Sequence, residues 1–467
     1  MKAPYFVIFL VTSFYACQTN EEVFQQSDEV DAVFSAWDQP DMPGCALAII
    51  YEGDMLYSRG YGMADLEHDI PISPQSVFYI GSVSKQFVTT AILLLEEEGR
   101  LSLDDDVRKY IPELPDYGHT ISLRNLVHHT SGLRDNLTLW ELSGRSMIDD
   151  IPEDEIFEMI CRQQGLNFVP GEKYAYSNTC YFLMSIIIER VSGQRLRAFA
   201  EERIFEPLGM NNSQFNDDNR RIVKDRAFGY TQLADDSIGN LIMRFDLVGS
   251  GGLYSTVEDL YHWDQNFYDN QLGKRGQALI QQLQTNGRYN DGSEVDYAFA
   301  MINGEYRGLK TIHHTGSMGG YRAVYLRFPD QEFSVIILGN VDNLRPLDRA
   351  YEVADVMLAD LLSEQVPSTE NTPTTVEEQK SPADVSPASF TGAFYSEELD
   401  VMYEIFLREE QIMMKAGPGT PVSLEVQAEQ RLANNTFSLE FNENKDRFSL
   451  SYYDTQGIQF VRNKPLP

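Results

Sequence analysis

The spacing of apolar residues changes several times along the chain, and each change marks an element. The run Cys45-Ala-Leu-Ala-Ile-Ile-Tyr51, the turn Glu52-Gly53-Asp54 and the run Met55-Leu-Tyr-Ser58 predict a β-hairpin. From Ser82 to Glu98 the period becomes helical, with Phe87, Val88, Ala91, Ile92, Leu94 and Leu95 on the apolar side and Gly99 at the stop. A second helical segment runs from Tyr181 to Val191. Strand patterns return at Tyr321 to Phe328 and Phe333 to Leu338 around a Pro329-Asp330 turn, and a last helical pattern spans Leu347 to Leu362. Strands near both ends of this region around a helical middle predict an α+β fold. Its antiparallel sheet would be completed by N- and C-terminal segments and flanked by helices. The middle third mixes helical stretches with Gly/Pro/Asn-rich loops, and its pattern leaves the topology open.

Beyond residue 362 the composition shifts. Residues 363–387 are rich in Pro, Ser, Thr, Glu and Gln, a linker signature. From 388 to 467 the apolar positions alternate: Val401/Tyr403/Ile405, Val422/Leu424/Val426, Phe437/Leu439/Phe441 and Phe448/Leu450/Tyr452. Short period-two strands separated by turn residues predict a small β-sandwich or barrel. The main unit is therefore expected at 31–362, after a polar leader at 17–30.

Residues 1–16 combine Lys2, the apolar stretch Tyr5 to Val11 and a small residue at Ala16. That stretch is too short to span a bilayer and reads as an export signal. Cys17 directly after Ala16 is similar to a bacterial lipoprotein cleavage site, although Phe14 stands where Leu is usual. The alternative is an ordinary secretory signal with an incidental cysteine. The first reading makes the chain a periplasmic or membrane-anchored lipoprotein whose membrane contact comes only through Cys17. Cys45, Cys161 and Cys180 would then remain, an odd count that argues against a dense disulfide framework.

Charge narrows the partners further. A net charge of −34 surrounds the chain with a negative field that repels phosphate backbones, which argues against a nucleic-acid partner. A solvated acidic surface accounts for the rest, so the charge says little about substrate.

Three short motifs carry the candidate chemistry. Ser82-Val83-Ser84-Lys85 places a hydroxyl and an amine one helical turn apart on one face, and a desolvated lysine can take a serine proton at neutral pH. Alone, the pattern fits an N-cap serine with a solvated lysine equally well. Tyr176-Ser177-Asn178 follows a Pro170-Gly171 turn that would present it to a cleft. A tyrosine there could exchange protons, and the Asn amide could bind a substrate carbonyl. A rival Tyr268-Asp269-Asn270 has the same spacing. His314-Thr315-Gly316-Ser317 stands just before the strand pair, where Gly admits close backbone approach and N–H groups can serve an oxyanion. Neither His313-His314 nor His128-His129 has the spacing of a zinc site.

The order Ser-x-x-Lys, Tyr-x-Asn, His-Thr-Gly resembles that of penicillin-recognising serine hydrolases, which have a related S-x-x-K, S-D-N, K-T-G version. The chain also resembles their class C β-lactamase-like branch in Leu126-Val127-His128-His129-Thr130-Ser131-Gly132 and in Gly251-Gly252-Leu253-Tyr254-Ser255-Thr256. The resemblance spans roughly residues 30–362. It implies Ser82 as nucleophile, Lys85 and Tyr176 sharing base and acid duties, and backbone N–H groups of Ser82 and Ser317 as oxyanion hole. Asn178, His314, Thr315 and Gly316 would align a small-molecule or peptide substrate, and no cofactor is implied. His314 departs from the lysine of most β-lactamases, as in some DD-peptidases and related peptidases and esterases, and the C-terminal β domain is similar to extensions on D-aminopeptidase-like members. The departure shifts the expectation toward peptide or ester cleavage. A true β-lactamase and a non-catalytic penicillin-binding or cell-wall sensor are the alternatives. No G-x-S-x-G elbow points to an α/β-hydrolase.

Overall fold

The computed structural model describes residues 20–364 and 385–463. The segment read as an export signal, Cys17 and most of the linker lie outside the described residues. Among those described, no helix is long and apolar enough to cross a membrane, and Cys45, Cys161 and Cys180 are free thiols.

The apolar run near the N-terminus forms β1 (Cys45–Tyr51), and β2 (Asp54–Tyr61) returns beside it. The two-residue loop between them has positive φ at Glu52 and Gly53, the conformation of a turn that matches strand twist. Four later strands complete the sheet: β3 (Ile302–Tyr306), β4 (Leu309–Met318), β5 (Tyr321–Phe328) and β6 (Phe333–Gly339). Their order is β3-β4-β5-β6-β1-β2, with every neighbour antiparallel. The early hairpin thus joins a sheet built mostly from residues some 250 positions away in sequence, with Cys45 opposite Gly339.

β1 is almost uniformly apolar because both of its faces are covered. Leu47 and Ile49 point to one side, where they meet Val30 and Phe34 from α1 (Asn20–Val33) and near its end, and Val353 and Ala354 of the last helix (Pro346–Met357). Ala46, Ala48 and Ile50 point to the other, into a core shared with α2 (Lys85–Glu97) and α3 (Asn178–Ser192). Alternation is lost when neither face meets water.

The expected helix from Ser82 starts later than its pattern suggests. Residues Gly81–Ser84 form a 3₁₀ turn, and α2 begins at Lys85. The difference matters for chemistry: three residues per turn stack positions i and i+3 directly above one another, which aligns Ser82 with Lys85. Gly99, with φ +68°, ends the helix as expected.

The C-terminal unit is a closed barrel of eight antiparallel strands between Gly392 and Arg462. Its last strand returns to the first, with Phe394 opposite Arg462 and Tyr395 opposite Val461. Phe394, Tyr403, Phe441, Phe448 and Phe460 fill the interior.

Candidate active site

β3 pairs with β4 only as far as Ile302 opposite His313. From His314 to Met318, β4 therefore has β5 on one side and the 3₁₀ turn on the other. Glycines permit this approach. A Cβ on Gly316 would lie 2.0 Å from the Ile80 carbonyl oxygen, and one on Gly81 would lie 2.7 Å from the Ser317 nitrogen. Gly316 would also come within 3.1 Å of the Ser82 nitrogen, so the amides of Ser82 and Ser317 share one seam.

The seam opens into a cavity of about 400 Å³ walled by Ser82, Tyr176, Asn178, His314, Thr315 and Ser317, with Tyr79, Ser250, Leu137 and Met318 around them. The structure thus gathers residues from all three motifs, with Lys85 directly behind them. A larger depression of about 690 Å³ around Ile70, Arg226 and Phe228 is lined by no residue of the three motifs and stands apart from this chemistry.

Lys85 is fully buried. Its Nζ lies 2.9 Å from Ser82 Oγ, 2.9 Å from Asn178 Oδ1 and 2.5 Å from the Ser250 carbonyl. Burial lowers its pKa from 10.5 to about 7, against the opposing pull of Asp135. A neutral amine has two N–H groups and one lone pair. Asn178 Oδ1 and the Ser250 carbonyl can only accept, so they take both N–H groups, and the lone pair faces the Ser82 hydroxyl. The alternative of a solvated lysine beside an N-cap serine is excluded by this burial.

Tyr176 is held well above the ordinary tyrosine value, chiefly by burial, and is a phenol at neutral pH. Its hydroxyl is near Ser82 without a hydrogen bond of normal geometry, and its ring lies 4.9 Å from Lys85 Nζ. The rival Tyr268-x-Asn270 serves elsewhere: Tyr268 stacks on Arg327, and Asn270 donates to the carbonyls of Leu272 and Gly276.

His314 is buried with Nδ1 2.6 Å from the Thr315 carbonyl and Nε2 3.0 Å from Tyr297 Oη. The carbonyl requires the proton on Nδ1, which leaves Nε2 to accept from the tyrosine. Burial, with Lys85 nearby, lowers its pKa to about 3, so the ring is neutral across the physiological range.

Several supporting groups stand behind these residues. Asp135 caps the helix Asn136–Leu142 and also accepts from the Asn178 N–H at 2.5 Å, holding the start of α3. His129, at φ +55°, accepts from the Ser177 N–H through Nδ1 at 3.1 Å, and its carbonyl takes the Ala175 N–H. Its ring packs 4.3 Å from Tyr176 and 4.7 Å from Tyr297. Of the His128-His129 pair noted in the sequence, His129 is thus a brace for the tyrosine loop, while His128 Nδ1 lies 3.0 Å from the Tyr297 carbonyl.

Comparison with known proteins identifies the family. The family model described as Beta-lactamase matches residues 24–357. The chain is 32% identical to Penicillin-binding protein 4* of Bacillus subtilis (strain 168) over 326 residues, covering 66% of this chain and 69% of that protein. It is 27% identical over 298 residues to a D-aminopeptidase of Gluconobacter oxydans (strain 621H), covering 64% of this chain and 56% of that one. Among solved structures, an octameric penicillin-binding protein homologue from Pyrococcus abyssi superposes with a TM-score of 0.63 at 23% identity, over 94% of this chain and 100% of that one. A D-amino acid amidase from Ochrobactrum anthropi SV3 gives 0.59 at 21%, over 72% of this chain and 99% of that one. At those identities the two structures speak to fold alone. The match over residues 24–357 and the kinship with the Bacillus protein place this chain in the beta-lactamase family, a hydrolase family.

Proposed function

We propose that the chain is a serine hydrolase that forms an acyl-enzyme on Ser82 and cleaves amide, peptide or ester bonds, in the manner of a D-amino-acid peptidase or esterase. The observation that carries this reading is the Ser82–Lys85 pair at 2.9 Å, with the amine lowered to about 7 and its lone pair free for the hydroxyl.

In this mechanism neutral Lys85 takes the Ser82 proton as Oγ attacks the substrate carbonyl. The ammonium that forms keeps Asn178 Oδ1 and the Ser250 carbonyl as partners, with the Tyr176 ring face nearby. Negative charge on the tetrahedral intermediate falls at the seam, where the amides of Ser82 and Ser317 receive it. Tyr176, a phenol, protonates the leaving nitrogen or oxygen and regains the proton from the ammonium. Water then attacks the acyl-enzyme along the reverse route. His314 is neutral and already engaged with Tyr297, so it offers no positive charge to a substrate carboxylate. That favours peptides and esters over β-lactams that carry a carboxylate beside the ring. The similarity to a D-aminopeptidase supports the same direction.

The deciding experiment compares steady-state turnover of D-amino-acid amides, p-nitrophenyl esters and a chromogenic cephalosporin, with mass spectrometry of the trapped enzyme. Turnover of amides or esters with an adduct on the Ser82 peptide is expected. Preferred cephalosporin turnover would make the chain a β-lactamase, and adduct without turnover of any substrate would make it a sensor.

Tyr176→Phe separates chemistry from folding. The hydroxyl it deletes makes no hydrogen bond of normal geometry to another protein group, so the melting temperature should stay within a few degrees of wild type. Loss of the proton relay should lower kcat by about 10²- to 10⁴-fold with little change in KM. Parallel melts and initial rates on one ester check both expectations.

A further inference from the structure

Between the Ser131-Gly132 turn and the helix Asn136–Leu142 lies Arg134, whose backbone and side chain face different units. On the backbone side, its carbonyl accepts from Thr179 Oγ1 at 2.7 Å, in the first turn of α3. The next residue, Asp135, accepts from the Asn178 N–H. Arg134 and its neighbour thus hold the end of α3 that carries Asn178 and follows Tyr176.

The side chain points away from the cavity and is only 2% exposed. Nε and Nη2 both donate to the Gln456 carbonyl, at 3.1 and 2.7 Å. Nη1 donates to Glu398 Oε2 at 2.5 Å and to Gln163 Oε1 at 2.8 Å. Glu398 and Gln456 belong to the barrel unit. Glu398 is itself only 2% exposed, and its carboxylate also accepts from the backbone N–H groups of Gln459 at 3.0 Å and Gln164 at 2.8 Å. Four of the five N–H groups of the fork are therefore taken by the barrel and by the segment just before the tyrosine loop.

We infer that Arg134 is a positioning residue through which the C-terminal barrel sets Tyr176 and Asn178 against Ser82 and Lys85; the inference rests on acyl transfer at Ser82. Two features carry it. The planar guanidinium fixes direction as well as distance, which a flexible ammonium cannot do. A buried ion pair is also a poor source of stability compared with apolar side chains of similar volume, so stability alone is a weak explanation for this one. Arg134 is not among the residues that wall the cavity, and it acts on the reaction only through its neighbours. The barrel becomes a working part of the active site.

The test measures acylation of the full chain by a fluorescent penicillin, separating the rate constant at saturation from the dissociation constant of the first complex. Arg134→Lys keeps a cation beside Glu398 but has no fork for the Gln456 carbonyl. Arg134→Met combined with Glu398→Leu replaces the pair by apolar side chains. The expected order of rate constants is wild type, then Arg134→Lys, then the double variant. A loss of about 10- to 100-fold is expected overall, with dissociation constants within about threefold and cooperative melts retained. A cooperatively folded variant of either kind that acylates at the wild-type rate overturns the inference. If the double variant does not fold, Arg134→Lys decides on the same criterion. If neither folds, the pair is purely structural and the inference falls. Ser82→Ala run alongside distinguishes the two levels: equal labelling of Ser82→Ala and wild type removes the reaction itself, whereas Ser82-dependent labelling unchanged in the Arg134 variants removes the positioning role alone.

Discussion

Lys85→Met is expected to lower kcat by on the order of 10⁴-fold or more, and to remove a pH dependence from stability as well as from activity. Kinetically, the lone pair facing Ser82 disappears, and among the described residues no other group at that distance from Oγ can take the proton. In the wild type, kcat/KM should rise with pH through a limb near 7, because the reactive form is the neutral amine. For stability, the native state holds Lys85 at about 7 while the unfolded chain holds it near the ordinary 10.5. Between those values the unfolded state binds the extra proton. Wild-type stability therefore rises with pH from about 7 toward 10, at up to about 1.4 kcal/mol per unit, and the full penalty of burying the amine is present below 7. Other groups titrate in both proteins, so the difference between wild type and variant isolates Lys85. Urea melts at pH 7 and 9 should show the wild type gaining about 2 kcal/mol relative to Lys85→Met. A constant difference across that range would contradict the lowered pKa.

Ser82→Ala should reach further still, to a loss on the order of 10⁶-fold in kcat. It also removes the covalent adduct seen by mass spectrometry after quenching. The fold should tolerate the change: Lys85 keeps two of its three partners, the Asn178 amide and the Ser250 carbonyl. Because Ser82 and Lys85 act as one unit, adding Lys85→Met to Ser82→Ala should lower kcat little beyond the serine variant alone. A double variant whose loss equals the product of the two single losses would show that the residues act separately. Single-turnover assays with excess enzyme resolve this more cleanly than steady-state rates.

Local signals made part of this molecule legible from its residues. The hairpin at Glu52-Gly53, the Pro329-Asp330 connection and the alternating C-terminal strands depend on nearby residues, and each lies where its pattern placed it. Closure of the last unit was not legible, because pairing Phe394 with Arg462 leaves no trace in the alternation of either strand. At the site, Ser82, Lys85, Tyr176 and His314 announced themselves as side chains in ordered motifs. The Ser250 carbonyl could not, since every residue has a carbonyl and only the fold brings this one to Lys85 Nζ. Asp135 and Arg134 were hidden for a related reason: each is an ordinary charged residue whose partners, Asn178 and Glu398, lie 43 and 264 positions away. His129 was visible but its meaning was not, because a ring packed against Tyr176 and a backbone at φ +55° are tertiary facts.

The circular pairing of the barrel constrains how the gene could be shortened. In an open sheet, losing a terminal strand merely moves the edge inward by one. Here, deleting Thr455–Arg462 would strip the partners from both Gly392–Ser396 and Arg447–Tyr452 at once, leaving two raw rows of N–H and C=O groups. Such rows template intermolecular β-pairing. A stop codon just before Thr455 would therefore favour self-association, which makes the last barrel strand a guard against aggregation.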